Sequence, residues 1–345
     1  MRVAITGGTG FVGSHLIPQL LAAGHELRVV ARGNARAQLP EGLVPTFGDV
    51  VSGRGLESAF EGAEVVVNLA AVIRNRGVQT FQSVNAEGSA NVARAARAAG
   101  ARRLVQLSAI GADPDPRFPY LFSKWQGEQA VRGSGLEWVI LRSSVVFGEG
   151  DGFFTLLARA IALPAPFLVV PGSGAATFQP LHADDLAGCL LAAVQDERRA
   201  GSVYELGGPE QLTLDQITEI VARVTGHDWF GISRRRLVHV DPRLIRPAAI
   251  LMEKLLPNPL VTPEQLAMLA KPNVAQLDAV RVNFGFDPRP LEPNLGYLRR
   301  DRHWPLRLLE QGAARLATHG PRAPEPGPQT RGATERRPPG GVSDE

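Results

Sequence analysis

The feature that most constrains this chain is a glycine-rich turn placed directly after its first apolar run. Residues 3–5 indicate a buried strand, the turn Thr6-Gly7-Gly8-Thr9-Gly10-Phe11-Val12-Gly13 follows, and helical periodicity continues over residues 13–23. Glycines permit a tight turn, a close approach of backbone amides to a ligand, and close packing of helix on strand. The amides and dipole at a helix N-terminus favour an anion. The order of strand, turn and helix therefore predicts a pyrophosphate-binding loop formed by Gly7, Thr9, Gly10, Phe11, Val12 and Gly13.

Short apolar runs alternate with helical periodicity through the first half of the chain. The predicted strands are residues 3–5, 26–31, 65–69, 104–108 and 138–142, and the predicted helices are 13–23, 55–60, 85–99 and 123–133. Strands that are apolar on both faces and separated by helices are typical of a parallel sheet with crossover helices. The sequence therefore predicts an α/β fold, a Rossmann-type doubly wound parallel sheet.

The regular alternation weakens after residue 150, where prolines become frequent. Residues 203–206 still indicate a strand, and residues 213–225 indicate a helix. We therefore predict a dinucleotide-binding domain at residues 1–150 and a smaller substrate or partner lobe at 151–317 that partly returns to the sheet. Residues 318–345 are rich in Pro, Gly and Arg and are predicted to be a disordered tail.

Composition excludes several classes of protein. With 44% hydrophobic residues, the 345-residue chain can bury a large core, and its single cysteine, Cys189, allows no disulfide within the chain. No cluster of metal-ligating residues stands out, so we expect no metal.

The first strand begins directly after the initiator methionine, which leaves no room for a signal peptide. The most apolar stretch, 153–170, is interrupted by Arg159, Pro164 and Pro166. We expect a cytoplasmic protein without a nucleic-acid partner. Arginine-bearing segments at 234–246 and 298–315 could contact acidic lipid or a partner protein at the membrane.

The end of the second predicted strand carries an arginine where NAD-specific proteins usually carry an acidic residue for the ribose hydroxyls. About 20 residues beyond the loop the chain has Arg32, with Arg36 nearby and no Asp or Glu. A guanidinium can pair with a 2′-phosphate through two hydrogen bonds, although a solvated surface arginine is the alternative. The sequence thus favours NADP(H) over NAD(H).

Further segments resemble the short-chain dehydrogenase/reductase superfamily, in its extended or atypical branch of NAD-dependent epimerase/dehydratase-like proteins. The matching segments are, in order, Gly48-Asp49-Val50, Asn68-Leu69-Ala70-Ala71, the helix start from Asn85 to Asn91, residues 141–148 and residues 180–187. Ser143 departs from the pattern by replacing the usual proline. The resemblance implies that Asp49 and Val50 meet the adenine and that Leu69, Ala70 and Ala71 pass beneath the cofactor.

Within this branch the chain is most similar to the NADPH-binding accessory subunits of respiratory complex I and their bacterial relatives. The similarity is carried by residues 107–112, by Lys124 with Gly127 and Glu128, and by residues 266–297, including Lys271-Pro272-Asn273-Val274. It spans residues 1 to about 297 and says nothing about the tail.

Tyr120 and Lys124 have the spacing of a catalytic pair. On a helix, residues four apart lie on one face, and a nearby ammonium would favour the phenolate of a tyrosine whose ordinary pKa is about 10. Lys124 would also bond the nicotinamide-side ribose, and Ser108, at the end of a predicted strand, would polarise the substrate carbonyl or hydroxyl. Retention of Tyr120 and Lys124 for binding alone is the alternative.

Two functions follow from these residues. The first is an oxidoreductase or epimerase that moves hydride between the nicotinamide and a carbonyl or hydroxyl of a small molecule, with Tyr120 as acid and base. The second is a non-catalytic NADPH-binding subunit or assembly factor of a membrane respiratory complex. Only twelve positions separate Ser108 from Tyr120, which disfavours a nucleotide-sugar substrate. Near His182, a helix-capping Asp184 is expected rather than a metal site.

Overall fold

The computed structural model describes residues 1–33, 39–162, 167–226, 236–255, 262–269 and 271–301. All of these residues belong to one compact unit that spans residues 1–302. Arg36, the arginine-bearing segment beyond residue 301 and the predicted tail at 318–345 lie outside the described residues.

The strands and helices alternate along the first half of the chain, as expected. The strands are β1 (Arg2–Thr6), β2 (Glu26–Ala31), β3 (Thr46–Phe47), β4 (Val65–Asn68), β5 (Arg103–Ala109), β6 (Glu137–Ser143), β7 (Val146–Phe147), β8 (Phe167–Pro171), β9 (Thr177–Phe178), β10 (Leu181–His182), β11 (Ser202–Leu206), β12 (Leu212–Thr213) and β13 (Arg236–Val240). The helices are α1 (Phe11–Ala22), α2 (Leu56–Phe60), α3 (Glu87–Ala98), α4 (Pro119–Arg132), α5 (Phe153–Ala162), α6 (Ala183–Gln195), α7 (Leu214–Thr225), α8 (Pro242–Leu255), α9 (Pro263–Met268) and α10 (Ala279–Phe284).

The central sheet has seven strands in the order β11-β6-β5-β4-β1-β2-β3, and every neighbouring pair is parallel. The direction of winding reverses between β1 and β4. This is the doubly wound order of a dinucleotide-binding sheet, extended at one edge by β11, and ligands of such sheets bind at the switch point. The predicted Rossmann-type α/β fold is confirmed.

Helices cover both faces of the sheet, which explains the unbroken apolar runs in its strands. Val65, Val66 and Val67 are all fully buried. On one face α1 and α6 pack against the sheet, and on the other face α2, α3 and α4 do so. Two buried layers are the expected packing of a parallel sheet.

A third apolar cluster forms outside the two faces of the sheet. It joins α5, α7 and β8 with the chain after residue 290, through side chains such as Phe154, Leu168, Ile217 and Leu295. Around it lie the short pairs β10 with β7, β12 with β9 and β13 with β8. The domain boundary at residue 150 stays a prediction. No helix among the described residues is both long enough and apolar enough to cross a bilayer.

Two of the differences between observed and predicted helix boundaries bear on function. Helix α4 begins at Pro119 rather than at residue 123, because proline suits the first helical position, where its missing N–H has no partner to lose. Tyr120 is therefore helical. The helix expected from residue 85 is preceded by a π-helical turn, Phe81–Ala86, which is capped by Thr80 and Ser83.

Candidate active site

The glycine turn lies at the carboxyl end of β1, against the end of β4. The amide of Gly10 donates to the carbonyl of Gly7 at 3.0 Å, and Gly7 adopts a left-handed φ of +71°. A Cβ at Gly7 would stand 2.6 Å from the backbone nitrogen of Ala70, and a Cβ at Gly13 would stand 2.2 Å from the carbonyl oxygen of Gly8. Both positions therefore require glycine, because backbone atoms occupy the space that a side chain would need.

The start of α1 supplies the donors for a pyrophosphate. The carbonyl of Gly10 accepts the first helical bond, from Ser14 at 3.0 Å, so the amides of Phe11, Val12 and Gly13 precede the helical ladder. No acidic residue lies in this first turn, and Thr9 is half-buried between the glycines. A turn without bulky side chains, ending in helical N-terminal amides, fits a dinucleotide pyrophosphate.

Asp49 and Val50 follow β3 and form a tight turn. The Asp49 carboxylate accepts from the amide of Val51 at 3.1 Å and from the hydroxyl of Ser52 at 2.7 Å. Burial alone would raise the pKa of Asp49, but these hydrogen bonds, with the charge of Arg32, hold it below its ordinary value. Asn91 on α3 donates to the carbonyl of Val50 at 2.8 Å and so fixes the turn. The adenine contacts of Asp49 and Val50 stay a prediction.

Arg32 is exposed at the end of β2, where its guanidinium faces the side chain of Gln79. With the Gln79 amide oxygen turned toward Arg32, the Nη1 and Nη2 atoms lie 2.9 and 3.0 Å from it. Arg32 is also close enough to Asp49 to affect its pKa. Arg32 therefore stands beside the turn that would hold the adenosine. The sequence carries no signal for Gln79, because the loop after β4 has no regular pattern.

The segment beneath the cofactor site is tied to a buried amide network. Asn68 accepts from the hydroxyl of Thr6 at 2.6 Å and from the amide of Ala70 at 3.2 Å, and it donates to Gln106 at 2.8 Å. Leu69 is buried, Ala70 is half-buried and Ala71 is exposed. The ends of β1, β4 and β5 are thereby held together at the switch point.

Tyr120 and Lys124 both lie on α4, one turn apart. The Tyr120 ring packs edge-on against Phe81 with centroids 5.7 Å apart, and the Lys124 ammonium donates to the carbonyl of Leu107 at 2.7 Å. Lys124 is 4% exposed. The pair therefore lies near the carboxyl end of β5, which is two strands from β1 in the sheet.

The ionisation of Tyr120 differs from the expectation that its phenolate would be favoured. Burial raises the pKa of Tyr120 to about 12. Burial also lowers the pKa of Lys124 to about 8, against an opposing effect of the Glu128 charge. The physical reason is the loss of hydration, which disfavours the charged form of each group: Lys124 is buried, and Tyr120 is half-buried. The Lys124 ammonium donates to the carbonyl of Leu107. In this structure Tyr120 is a neutral phenol at neutral pH.

Ser108 donates its hydroxyl to a buried glutamate rather than presenting it at the surface. The Ser108 Oγ lies 2.6 Å from Oε1 of Glu128, and Ser108 is 3% exposed. Glu128 is fully buried and also accepts from Nε and Nη2 of Arg142, at 2.9 and 2.7 Å. The substrate contact expected of Ser108 stays a prediction, and it would require the hydroxyl to leave Glu128. Glu128 lies four residues after Lys124, the spacing that could have indicated its place beside the pair.

Asn85 joins the π-helical turn to α4. Its amide nitrogen donates to the carbonyl of Val72 at 3.0 Å and to the hydroxyl of Ser123 at 3.1 Å, and its oxygen accepts from the amide of Val72 at 2.8 Å. Asn85 thereby fixes the chain after β4 next to the helix that carries Tyr120.

The polar cluster around His182 caps α6 and joins it to other segments of the chain. His182, not Asp184 as predicted, is the capping residue, because its Nδ1 accepts from the amide of Asp184 at 3.2 Å while its backbone is extended. The Asp184 carboxylate instead pairs with His15 at 2.6 Å and with Arg289. Within the described ranges, no group of His, Cys, Asp and Glu side chains could hold a metal ion.

A cavity of about 410 Å³ lies between the edge strand β11 and α10, lined by residues that include Tyr204, Gln276 and Asn283. Three strands separate β11 from β1 in the sheet. This cavity is therefore distinct from the glycine turn, and the turn, not the cavity, identifies the cofactor site.

Comparison with known proteins agrees with this geometry. The ceramide reductase of Caulobacter vibrioides is 33% identical over 252 residues, which cover 71% of this chain and 73% of that protein. NADH dehydrogenase [ubiquinone] 1 alpha subcomplex subunit 9 of Arabidopsis thaliana is 28% identical over 63% of this chain, but the match spans only 56% of that protein. The predicted similarity to complex I subunits is confirmed.

Solved structures share the fold over almost the whole chain. UDP-glucuronic acid 4-epimerase from Bacillus cereus, in complex with UDP-glucuronic acid and NAD, superposes with a TM-score of 0.66 at 18% identity, over 88% of this chain and 99% of that one. The model of the NAD-dependent epimerase/dehydratase family matches residues 3–207, more than half of the chain. The strand order, the glycine turn at its switch point and this match together mean that the chain belongs to the NAD-dependent epimerase/dehydratase family.

Proposed function

We propose that this protein is an NADP(H)-dependent oxidoreductase that acts on a carbonyl or hydroxyl group, with Tyr120 as the acid and base. The observation that carries the proposal is the position of Tyr120 and Lys124 on one helix, near the carboxyl end of β5. That end of the sheet also holds the glycine turn after β1, so a cofactor bound at the turn and a substrate beside Tyr120 can meet.

The chemistry of the pair favours reduction near neutral pH. A bound nicotinamide supplies or accepts the hydride. Because the pKa of Tyr120 is about 12, its phenol is protonated and can donate a proton to the oxygen of a carbonyl undergoing reduction. Lys124 is cationic below its pKa of about 8 and stabilises the phenolate that remains. Oxidation of an alcohol would first require deprotonation of the half-buried phenol.

The substrate class to test first is a lipid that carries a carbonyl group. The Caulobacter vibrioides relative is named a ceramide reductase, and the match covers 73% of its length. The short span between Ser108 and Tyr120 disfavours nucleotide sugars. We therefore put the carbonyl of a ceramide-type lipid first among the substrates to test, with simpler ketones and aldehydes beside it.

The preference for NADP(H) rests on Arg32. Its exposed guanidinium stands beside the Asp49 turn, in the region where the ribose 2′-position of the adenosine is expected. A phosphate there would form charge-assisted hydrogen bonds, whereas a ribose hydroxyl would gain little from a cation.

The acid–base role is tested with Tyr120→Phe. The purified protein is incubated with NADPH and a carbonyl panel that includes a ceramide-type lipid, and loss of NADPH absorbance is followed. We expect turnover to fall by about 10²- to 10⁴-fold, since one acid–base group contributes that much, while NADPH affinity changes little. Tyr204→Phe, on β11, removes a hydroxyl elsewhere and serves as the control. Turnover that survives Tyr120→Phe would rule out this role.

The cofactor preference is tested with Arg32→Asp. NADPH affinity should fall by about 10- to 100-fold, the effect of losing charge-assisted hydrogen bonds worth about 1.5–3 kcal/mol, whereas NADH affinity should be unchanged or better. Arg198→Asp makes the same charge change at a distant exposed site. An unchanged ratio of NADPH to NADH affinity in Arg32→Asp would contradict the assignment.

A second candidate function is a non-catalytic NADPH-binding subunit or assembly factor. It is favoured by the engagement of Ser108 with buried Glu128, and by relatives that are named as subunits of mitochondrial NADH-ubiquinone oxidoreductase. Tight NADPH binding with no turnover on the panel, unchanged in Tyr120→Phe, would support this function over the enzyme.

A further inference from the structure

The sheet formed by β8 and β13 has two faces in different surroundings. Leu168 and Val170 point into the third apolar cluster and are 8% and 2% exposed. Phe167 and Val169 alternate with them and are 45% and 52% exposed, and Val238, the partner of Val169, is 38% exposed. Parallel strands such as these are normally covered on both faces. Here the outer face carries aromatic and β-branched side chains that are exposed to solvent.

Helix α8 follows β13 after a single intervening residue, Asp241, and also exposes apolar side chains. Leu244 is 74% exposed and Ile250 is 39% exposed, whereas Ala249 is fully buried. Successive helical residues are about 100° apart, which puts Arg243 between Leu244 and Ile250 around the helix and Arg246 next to Ile250. We call the outer residues of β8, β13 and α8 the basic apolar face: Phe167, Val169, Arg236, Val238, Arg243, Leu244, Arg246 and Ile250.

The charge of this face is positive. Arg236 lies beside Phe167 in the strand register, and Arg243 and Arg246 are exposed on α8. The neighbouring carboxylate, Asp241, accepts from the amide of Arg243 at 2.8 Å. His239 belongs to the inner face, where it pairs with Asp215. Among the described side chains of this face and its immediate neighbours, guanidinium groups thus outnumber carboxylates.

We propose that the basic apolar face docks this protein onto a bilayer surface that contains anionic phospholipid. Apolar side chains of this kind enter the boundary between headgroups and acyl chains, while basic side chains attract anionic headgroups. A second copy of the chain would bring arginines against arginines, which repel. The proposal is independent of the proposed oxidoreductase, because a non-catalytic subunit could dock in the same way.

The test is sedimentation of the full-length protein with phosphatidylcholine vesicles, with and without phosphatidylglycerol. We expect binding to the mixed vesicles that weakens with added salt, and little binding to phosphatidylcholine alone. Arg243→Glu with Arg246→Glu should weaken binding by roughly tenfold or more. Leu244→Ser with Ile250→Ser should do the same without changing the charge.

Matched controls separate the face from general surface effects. Val282→Ser alters a residue that is 68% exposed on α10, and Arg198→Glu reverses a charge on a side chain that is 90% exposed. Both should bind vesicles within about twofold of the unchanged protein, and thermal unfolding and NADPH binding verify that every variant is folded. The proposal fails if the unchanged protein does not bind acidic vesicles at low salt. It also fails if variants of the basic apolar face and control variants bind these vesicles equally. It also fails if the face variants instead abolish a dimer detected by light scattering.

Discussion

Lys124 is almost fully enclosed, and its burial has a consequence for stability. The unfolded chain keeps the Lys124 proton up to the ordinary pKa of 10.5, whereas the folded protein has a Lys124 pKa of about 8. Between these values the unfolded state binds more protons, so this group makes the free energy of unfolding rise with pH. Below the folded pKa, the buried ammonium lowers the free energy of unfolding by its full amount. This destabilisation decreases as the pH rises above that pKa, because the folded protein then holds a neutral amine.

Lys124→Met should therefore change stability in a pH-dependent way. The substitution removes the buried charge, so it should favour the folded state more at about pH 7 than at about pH 9.5. The change in free energy of unfolding, variant minus unchanged protein, should differ between the two pH values by about 2 kcal/mol. Urea unfolding at both pH values measures this difference. The comparison is its own control, because changes in packing that do not depend on protonation contribute equally at both pH values. An equal effect at the two values would mean that Lys124 titrates near its ordinary pKa.

At the scale of single residues, the sequence predicts which side chains belong to the candidate site better than it predicts which atoms those side chains contact. The spacing of Tyr120 and Lys124 is sufficient to place both on one helix. It cannot show that Lys124 donates to Leu107, or that Ser108 turns toward Glu128, because those contacts depend on how α4 packs against β5. For the same reason the sequence does not show that burial raises the pKa of Tyr120.

At the scale of elements, Glu128 joins α4 to the sheet. Its carboxylate binds Ser108 on β5 and Arg142 on β6, and Arg142 in turn reaches Glu205 on β11 at 3.1 Å. Glu128 is fully buried, whereas the Glu205 side chain is 45% exposed. The same guanidinium thus has one carboxylate partner shielded from water and one partner in contact with it.

This difference in burial predicts that two equivalent substitutions lower the free energy of unfolding by very different amounts. Glu128→Gln should lower the free energy of unfolding by about 3–5 kcal/mol, because it leaves the Arg142 cation without its buried partner. Glu205→Gln should cost less than about 1 kcal/mol, since water screens the exposed pair. Chemical denaturation of the two variants measures both values. Equal costs would show that burial does not govern this network.

The elements are predictable from the sequence where burial leaves a clear pattern. Apolar runs and the glycine turn indicate β1, α1, β2, β4, β5 and β6 close to their observed bounds, because helices cover both faces of these strands. The pairing of β8 with β13 cannot be predicted in this way. Both strands are short, and α6, β11 and α7 intervene between them in the chain, so neither periodicity nor a turn links the two.

At the scale of the whole molecule, one carboxylate links three distant parts of the chain. Asp184, in the first turn of α6, pairs with His15 on α1 and with Arg289 in the segment after α10. The backbone amide of Arg289 also donates to Asp185 at 2.7 Å. This segment is therefore attached to the first helix of the cofactor-binding half through side-chain contacts at the start of α6.

Asp184→Asn should loosen this attachment. Burial alone would raise the pKa of Asp184, but the hydrogen bonds from His15 and Arg289 hold it below the ordinary value of 3.8. The carboxylate therefore stabilises the folded state above that ordinary value, and this stabilisation is lost as the pH falls through the lowered pKa. Because the Asp184 side chain is 38% exposed, we expect a loss of only about 1 kcal/mol at neutral pH, shrinking in acid.

The effect of Asp184→Asn should be concentrated near Arg289, because the carboxylate contacts the segment after α10 at that residue. Hydrogen exchange at neutral pH should show faster exchange of the Arg289 amide in Asp184→Asn, while amides in the centre of β4 and β5 keep their protection. Asp215→Asn, which removes the partner of His239 far from this segment in the chain, is the matched control and should leave Arg289 unchanged. Equal exchange at Arg289 in both variants would mean that the segment is held by its apolar packing rather than by Asp184.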